Sequence, residues 1–404
     1  MIKKINQEQV RPGMYVHKLD CTWLDHPFTR NHFKINGLAD IRKLRESGVK
    51  GIYIDTEKGA DVDAGQTEAV RSDSAREGSV VAATPQTDTA PAVSVAEERG
   101  RAEVVKDEAG RVISDIMSDI RLGKQVDAER VSPVVEQMVG SIFRNQDALL
   151  GLSRIRQMDR YTFEHSVSVS VLLIAFAKAL GLSESVLHEI GIGGILHDIG
   201  KMRVPDKILN KPGRLTDQEF SVMREHVNFS RNLLGGAASI PESALQVAMQ
   251  HHERMDGSGY PGKLTGDEIS LYGKMSAIVD IYDAITSDRV YHKGQPPSLV
   301  LRRLVEWSGA HVDSALVQHF IQCVGIYPVG SLVALESGRL AIVVAASEQD
   351  LLTPTVNVIY DTLKRRFLTP RVLDLANLPE GSQERILYAV PPEKYGIRVE
   401  VFLD

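Results

Sequence analysis

Between positions 165 and 289 the chain sets histidines and aspartates into stretches that are otherwise strongly apolar, and this juxtaposition narrows the folds open to it. The run Leu196-His197-Asp198-Ile199-Gly200-Lys201 closes one apolar segment. His251-His252-Glu253-Arg254-Met255-Asp256-Gly257-Ser258-Gly259-Tyr260-Pro261 closes another, and Asp280-Ile281-Tyr282-Asp283 follows about one helix later. An imidazole or a carboxylate cannot be buried cheaply without a partner. Segments of this kind therefore gather their polar residues around one another or around a cation, and the pattern predicts a metal centre inside a helical bundle.

The spacing carries the ligand set. His165 opens an apolar helical segment that ends at Gly181, and a helix over 185–199 carries His197 and Asp198. On that helix His197 and Lys201 share a face, with Asp198 about 100° round from His197. Thr216-Asp217-Gln218-Glu219 is a capping box, so a helix starts there, runs to about Leu234 and holds His226. His251 and His252 end a helix from Glu242, with a Gly-rich loop behind them, and Asp280 and Asp283 share a face of a helix over 273–287. Imidazole with carboxylate suits Fe, Mn or Zn, and a carboxylate can bridge two ions where an imidazole cannot. Asp198 is the expected bridge: His165, His197 and Asp280 complete one site, and His226, His251 and His252 the other. Two cations so held polarise a bridging water to hydroxide and clamp the attacking and leaving oxygens of a phosphoester, with Lys201 offsetting charge on the phosphoryl oxygens. A lone histidine is more often a packing residue than a ligand, so His188, His311 and His319, and His17, His26 and His32 near the N-terminus, are read as structural. Glu253 is read either as an outer partner of the ligands or as a solvated carboxylate.

The remainder of the chain frames this core. Residues 1–58 read as a small α/β module, with strands at Met14-Tyr15-Val16 and Gly51-Ile52-Tyr53-Ile54 and a helix over 37–47 between them. From Gly59 to Gly100 there is no Leu, Ile or aromatic residue, so this stretch reads as a flexible linker. Helical periodicity over 101–152 fits either the first helices of the bundle or a dimerisation hairpin. The helical core covers 153–325, with further helices over 297–307 and 313–323. The segment 326–404 reads as a small β-rich extension, with a hairpin around Glu336-Ser337-Gly338-Arg339 and strands at Val356–Tyr360 and Ile397–Val401. The fold class is therefore mainly α, with small α/β and β-rich appendages. Composition excludes several functions: 404 residues with a net charge of −6 argue against binding a nucleic-acid polymer. Cys21 and Cys323 form no disulfide framework, no apolar run follows Met1–Asn6 as in a signal peptide, and the longest apolar run, Val171–Ala177, is too short to span a bilayer. The expected setting is the cytoplasm.

The two principal runs, together with Lys207-Ile208-Leu209-Asn210-Lys211-Pro212-Gly213-Arg214-Leu215-Thr216 and Asp280-Ile281-Tyr282-Asp283-Ala284-Ile285-Thr286-Ser287-Asp288-Arg289, resemble the HD-GYP family of cyclic di-GMP phosphodiesterases over about residues 155–325. The N-terminal module resembles the uncharacterised domain that often precedes it in bacterial proteins. The resemblance implies an HD-type bundle with two or three metals, usually iron or manganese, and hydrolysis of cyclic di-GMP to pGpG and, in many members, onward to GMP. It implies the same seven ligands, phosphate contacts from Lys201 and Arg289, and a pocket-shaping role for Tyr260, whose loop can contact diguanylate cyclase domains. Members with three metals carry a Glu where this chain has Tyr161, which points to two metals here, with Glu164 and Asp283 as the substitutes to consider. Val227 stands where a Pro is common. A cyclic di-GMP receptor without turnover is the alternative, although a degenerate receptor usually loses ligands and none of the seven is missing.

Overall fold

The computed structural model describes residues 2–5, 9–19, 33–35, 37, 41, 52–56, 58–60, 93–154, 161–235, 239–287, 293–347, 350–378, 382 and 384–403. Most of the helix expected over 37–47, most of the linker, Cys21, His26, His32, Arg289 and the Tyr161 side chain lie outside the described residues. The chain divides into two compact units, 1–82 and 83–404.

The first unit holds a four-stranded antiparallel sheet in the order β1-β4-β2-β3, formed by β1 (Ile2–Ile5), β2 (Tyr15–Leu19), β3 (Phe33–Lys34) and β4 (Ile52–Asp55). Alternate residues of the central strands point to one side, and Ile5, Val16, Ile52 and Ile54 bury against Val10, Met14, Ile35 and Ile41. The edge strands β1 and β3 carried no clear pattern in the sequence.

The second unit begins with α1 (Val95–Arg121), started by a capping box between Ser94 and Glu97 and therefore inside the stretch read as linker. One face of α1 buries Ala102, Val105, Ala109, Ile113, Ile116 and Ile120, and it packs on α2 (Ser132–Ser153) as part of the bundle. The two are pinned by an ion pair on a buried carboxylate: Arg144, itself partly exposed, donates to both oxygens of Glu98 at 2.7 Å. Directly after Arg144, Asn145 takes extended geometry (φ −163°, ψ 106°) and breaks α2. Its amide donates to Val93 O at 2.9 Å, and its carbonyl oxygen accepts from Asp147 N at 3.0 Å, recapping the second half.

The bundle continues with α3 (Tyr161–Ala179), α4 (Glu184–Leu196), α5 (Asp206–Leu209), α6 (Asp217–Arg224), α7 (His226–Leu234), α8 (Glu242–Gln250), α9 (Leu271–Thr286), α10 (Pro297–Glu306) and α11 (Ser314–Val324). Helix α4 is wedged between α3 and α8 because it presents glycines to both. A Cβ on Gly194 would lie 2.6 Å from Ser170 Cα, and one on Gly193 would lie 2.9 Å from Ala244 Cα. That close approach brings the ends of three helices to one point. Two expectations need correction. The helix expected over 185–199 stops at Leu196, so Lys201 sits in a 3₁₀ turn (Ile199–Arg203) rather than one α-turn beyond His197. The helix expected from Thr216 to Leu234 breaks at Glu225, and His226 is the first residue of α7 rather than an interior one.

The C-terminal segment forms a five-stranded antiparallel sheet in the order β8-β7-β6-β5-β9: β5 (Leu332–Leu335), β6 (Arg339–Ala345), β7 (Thr355–Asp361), β8 (Arg366–Asp374) and β9 (Ile386–Ala389). Apolar residues cover both faces, so every residue of β5 is buried. Arg154, just after α2, donates to Pro328 O and Val329 O and ties the sheet to the helices. The strand expected at Ile397–Val401 is instead a turn ending in a 3₁₀ helix (Val399–Phe402). Gly396, at φ +63°, redirects the chain across the sheet, where Ile397 and Leu403 pack on one face and Asn357 of β7 donates to Phe402 O. Among the described residues no helix is long and apolar enough to cross a membrane.

Arg144→Ala should lower the stability of the helical unit by roughly 2 kcal/mol in urea denaturation, because it removes both close guanidinium bonds to the buried Glu98 carboxylate and leaves Arg101, 4.0 Å away, as its nearest cation. Unchanged stability would show that the pair holds nothing in place.

Candidate metal centre

All seven side chains expected as ligands converge on one point, and every one except His252 is buried. His165 comes from the first turn of α3, His197 from the end of α4 and His226 from the start of α7. His251 and His252 come from the end of α8, and Asp280 from the middle of α9. Three groups have ligand atoms within reach of a single ion: His165, His197 and Asp280; His226, His251 and His252; and His197, Asp198 and His251. The last contains the carboxylate between the other two. Asp198 Oδ2 lies 3.5 Å from His165 Nε2 and 3.3 Å from His197 Nε2, while Oδ1 lies 3.4 Å from His226 Nε2 and 3.8 Å from His251 Nε2.

Helix ends explain how the rings are aimed. The last carbonyls of a helix have no intrahelical partner. His197 Nδ1 donates to Gly194 O at 2.8 Å, His226 Nδ1 to Met223 O at 2.8 Å and His251 Nδ1 to Ala248 O at 2.9 Å. In each case the ring takes the carbonyl three residues back, at a point where a helix stops. A ring whose Nδ1–H is so engaged must present Nε2 as a lone pair, and all three Nε2 atoms face inward. His165 is oriented differently: its Nδ1 lies 2.6 Å from Asp283 Oδ2. Asp283 therefore stands behind a ligand, in the carboxylate–histidine arrangement that metal sites use to orient imidazoles.

The backbone around the carboxylate is held just as tightly. A Cβ on Gly200 would lie 2.0 Å from His226 O, so only glycine permits the 3₁₀ turn after Asp198 to press against α7. There Ser230 Oγ accepts from Gly200 N at 2.9 Å and donates to His197 O at 3.2 Å. Lys201 Nζ contacts Asp198 Oδ2 directly. Glu253 is buried but does not touch the histidines; it accepts from Gly262 N at 2.6 Å and Leu264 N at 3.0 Å, fixing the Gly-rich loop. That loop lays Tyr260 against His252, with ring centroids 4.6 Å apart.

The donor set suits cations. His165 Nε2 and His197 Nε2 are 3.2 Å apart, and His226 Nε2 and His251 Nε2 are 3.5 Å apart. Asp198 Oδ1 is buried without a hydrogen-bond donor. His226 and His251, both neutral with Nδ1–H engaged, turn lone pairs toward each other beside an orphaned carboxylate oxygen, and positive ions between them would remove that repulsion. The protonation preferences agree. Burial favours the neutral ring at His226, and with His252 and His197 nearby it pushes His251 well down. It takes His252 down to about 3. Burial alone would raise Asp198 and Asp280, but Lys201 and the histidines hold Asp198, and the histidines hold Asp280, well below the usual carboxylate range. Burial also opposes the charge on His165, yet Asp198, Asp280 and Asp283 together raise it well above the usual histidine value.

The outer partners were the part the sequence hid. Asp283 was visible as a neighbour of Asp280 on one helix face. Ser230 and the role of Gly200 carry no signal without the packing of the 3₁₀ turn on α7.

Comparison with known proteins agrees with this geometry. A family model described as the HD domain matches residues 144–316, and one described as a domain of unknown function, DUF3391, matches residues 2–131. A Pseudomonas aeruginosa protein described as a cyclic di-GMP phosphodiesterase is 41% identical over 400 residues, covering 98% of this chain and 94% of that one. Two Vibrio cholerae proteins match part of this chain. One, described as a cyclic di-GMP phosphodiesterase, is 33% identical over 47% of this chain and 44% of its own length. The other, described as a 3'3'-cGAMP-specific phosphodiesterase, is 34% identical over 42% of this chain and 32% of its own. The fold and site are those of an HD-domain protein with a divalent-metal centre. More narrowly, the chain belongs to the HD-GYP family.

In metal-free protein, His226, His251 and His252 stay neutral in the fold but take up protons in the unfolded chain below about pH 6.5. The unfolded state then binds more protons, so stability falls as pH falls. His165 is held charged in the fold and titrates only in the unfolded chain near pH 6.5, so it offsets part of this slope near pH 7 and almost none of it by pH 5. The urea midpoint of chelator-treated protein should therefore drop steadily from pH 7 to pH 5. A flat profile would contradict the inward-facing neutral imidazoles.

Proposed function

We propose that this chain is a metal-dependent phosphodiesterase that hydrolyses cyclic di-GMP to linear pGpG, and onward to GMP where the linear product re-enters the site. The observation that carries the reading is Asp198, one carboxylate placed between two histidine-rich triads. The full-length likeness to a protein described as a cyclic di-GMP phosphodiesterase supports the substrate.

His165, His197 and Asp280 would hold one ion and His226, His251 and His252 a second, with Asp198 shared. Iron or manganese fits this ligand mixture best, and zinc also accepts it. Bound there, the metals supply Lewis-acid activation of water and offset charge on the phosphoryl oxygens. The chain's own groups do the rest. Asp198 remains ionised, so it accepts rather than donates at the centre. Lys201 is one-quarter exposed beside Asp198, so its ammonium can reach toward a phosphate while staying anchored. Burial and the nearby carboxylates raise the Tyr260 phenol, which keeps its proton and can donate to a phosphate or sugar oxygen at the rim. Arg289 belongs to the same reading as a second phosphate contact.

A receptor that binds the dinucleotide without turnover would need only the pocket; the seven ligand-type side chains favour turnover. A cytoplasmic location, a homodimer and contact with diguanylate cyclase domains belong to this reading through the family resemblance. Protein loaded with iron or manganese should convert cyclic di-GMP to pGpG. Asp198→Ala should lower kcat by about a thousandfold or more and reduce bound metal, with the helical circular-dichroism signal retained. Near-normal turnover in that variant would overturn the mechanism.

A further inference from the structure

Helix α6 does not earn its place in the core: none of its eight residues is buried. It is nevertheless set beside the metal centre, one residue before His226. Its residues sort onto two stripes. Gln218 and Val222, four apart, line a groove against Lys207 and Lys211 of the α5 region. Phe220 and Arg224, also four apart, turn to the Gly-rich loop instead. The Arg224 guanidinium lies over the Phe220 ring at 5.3 Å and over the Tyr260 ring at 5.8 Å. Phe220 and Tyr260 meet edge to face at 6.4 Å, and Tyr260 lies on His252. Arg224 is further steadied by Ser221 Oγ at 3.3 Å. Phe220, at the outer end of this stack, is 46% exposed.

An exposed aromatic ring stiffened by a guanidinium, at the mouth of a phosphodiester site and outside the hydrophobic core, has the chemistry of a base platform. A purine stacks on an aromatic face or on the plane of an arginine, and an arginine offers paired N–H donors to O6 and N7 of guanine but meets a donor at the corresponding edge of adenine. In a nucleotide the base lies one sugar away from the phosphate, and here the platform lies one ring, Tyr260, away from the ligand His252. We propose that Phe220 and Arg224 receive a guanine base of the substrate: Phe220 by stacking, Arg224 by reading the guanine edge. This inference rests on cyclic di-GMP being the substrate.

The test is steady-state kinetics of metal-loaded wild type, Phe220→Ala, Phe220→Trp and Arg224→Ala on cyclic di-GMP, cyclic di-AMP and bis(4-nitrophenyl) phosphate, a diester without a purine. Phe220→Ala should raise KM for cyclic di-GMP about tenfold with little change in kcat, and Phe220→Trp should restore it. Arg224→Ala should shrink the preference for cyclic di-GMP over cyclic di-AMP by about tenfold. Both alanine variants should keep wild-type rates on the nitrophenyl diester, wild-type metal content and wild-type unfolding midpoints. Wild-type turnover of cyclic di-GMP with KM and base preference unchanged in both variants would overturn this inference alone. Equal losses on all three substrates would overturn it in favour of a structural role. A wild-type protein that cleaves the nitrophenyl diester but not cyclic di-GMP would overturn the substrate reading and this inference together.

Discussion

The mutual repulsion of lone pairs gathered around Asp198 is the constraint on which the rest of the structure turns. Two pairs of imidazole nitrogens face each other across 3.2 and 3.5 Å, next to a buried carboxylate oxygen with no donor. Such an arrangement holds because its surroundings over-determine it, and cations would relieve the repulsion that remains. The surroundings do so through backbone rather than through side-chain bulk. Three histidines are locked by the carbonyls that helix ends leave free, and glycines at 194 and 200 let the helices that carry the ligands approach closely enough. A helix end is thus used twice, as the terminus of an element and as the device that aims a ligand.

Around this centre the polar work is divided. Asp283 orients His165 from behind, Ser230 ties the Asp198 turn to α7, and Glu253 holds the Gly-rich loop by its backbone. None of the three points into the metal centre.

The seven ligand-type side chains were legible in the sequence because polar residues in apolar helical stretches are rare unless they have a shared purpose. All seven come together, including His165 from a helix distant in sequence. Less of the local geometry was legible. The break at Glu225 was masked by an uninterrupted helical pattern, since the ring of His226 takes the Met223 carbonyl that the helix would otherwise use. Lys201 looked like a same-face partner of His197 only while the helix was assumed to continue past Leu196. In the C-terminal sheet, β8 is largely exposed, contains Pro370 and several charges, and so lacks the alternation that marked β6 and β7. The stretch after Gly396 alternates like a strand but packs across the sheet instead of joining its edge. Phe220 and Arg224 carry no signal in the sequence, because their role depends on α6 burying none of its residues.

Two cations sharing Asp198 are the central proposal for this protein, and its metal stoichiometry tests that proposal most directly. Chelator-treated protein titrated with manganese under anaerobic conditions, with binding followed by calorimetry and by metal analysis of the dialysed product, should take up two ions per chain. A single ion, or none, would contradict the shared-carboxylate centre. A third ion of comparable affinity would show that the chain completes a further site without a glutamate at position 161.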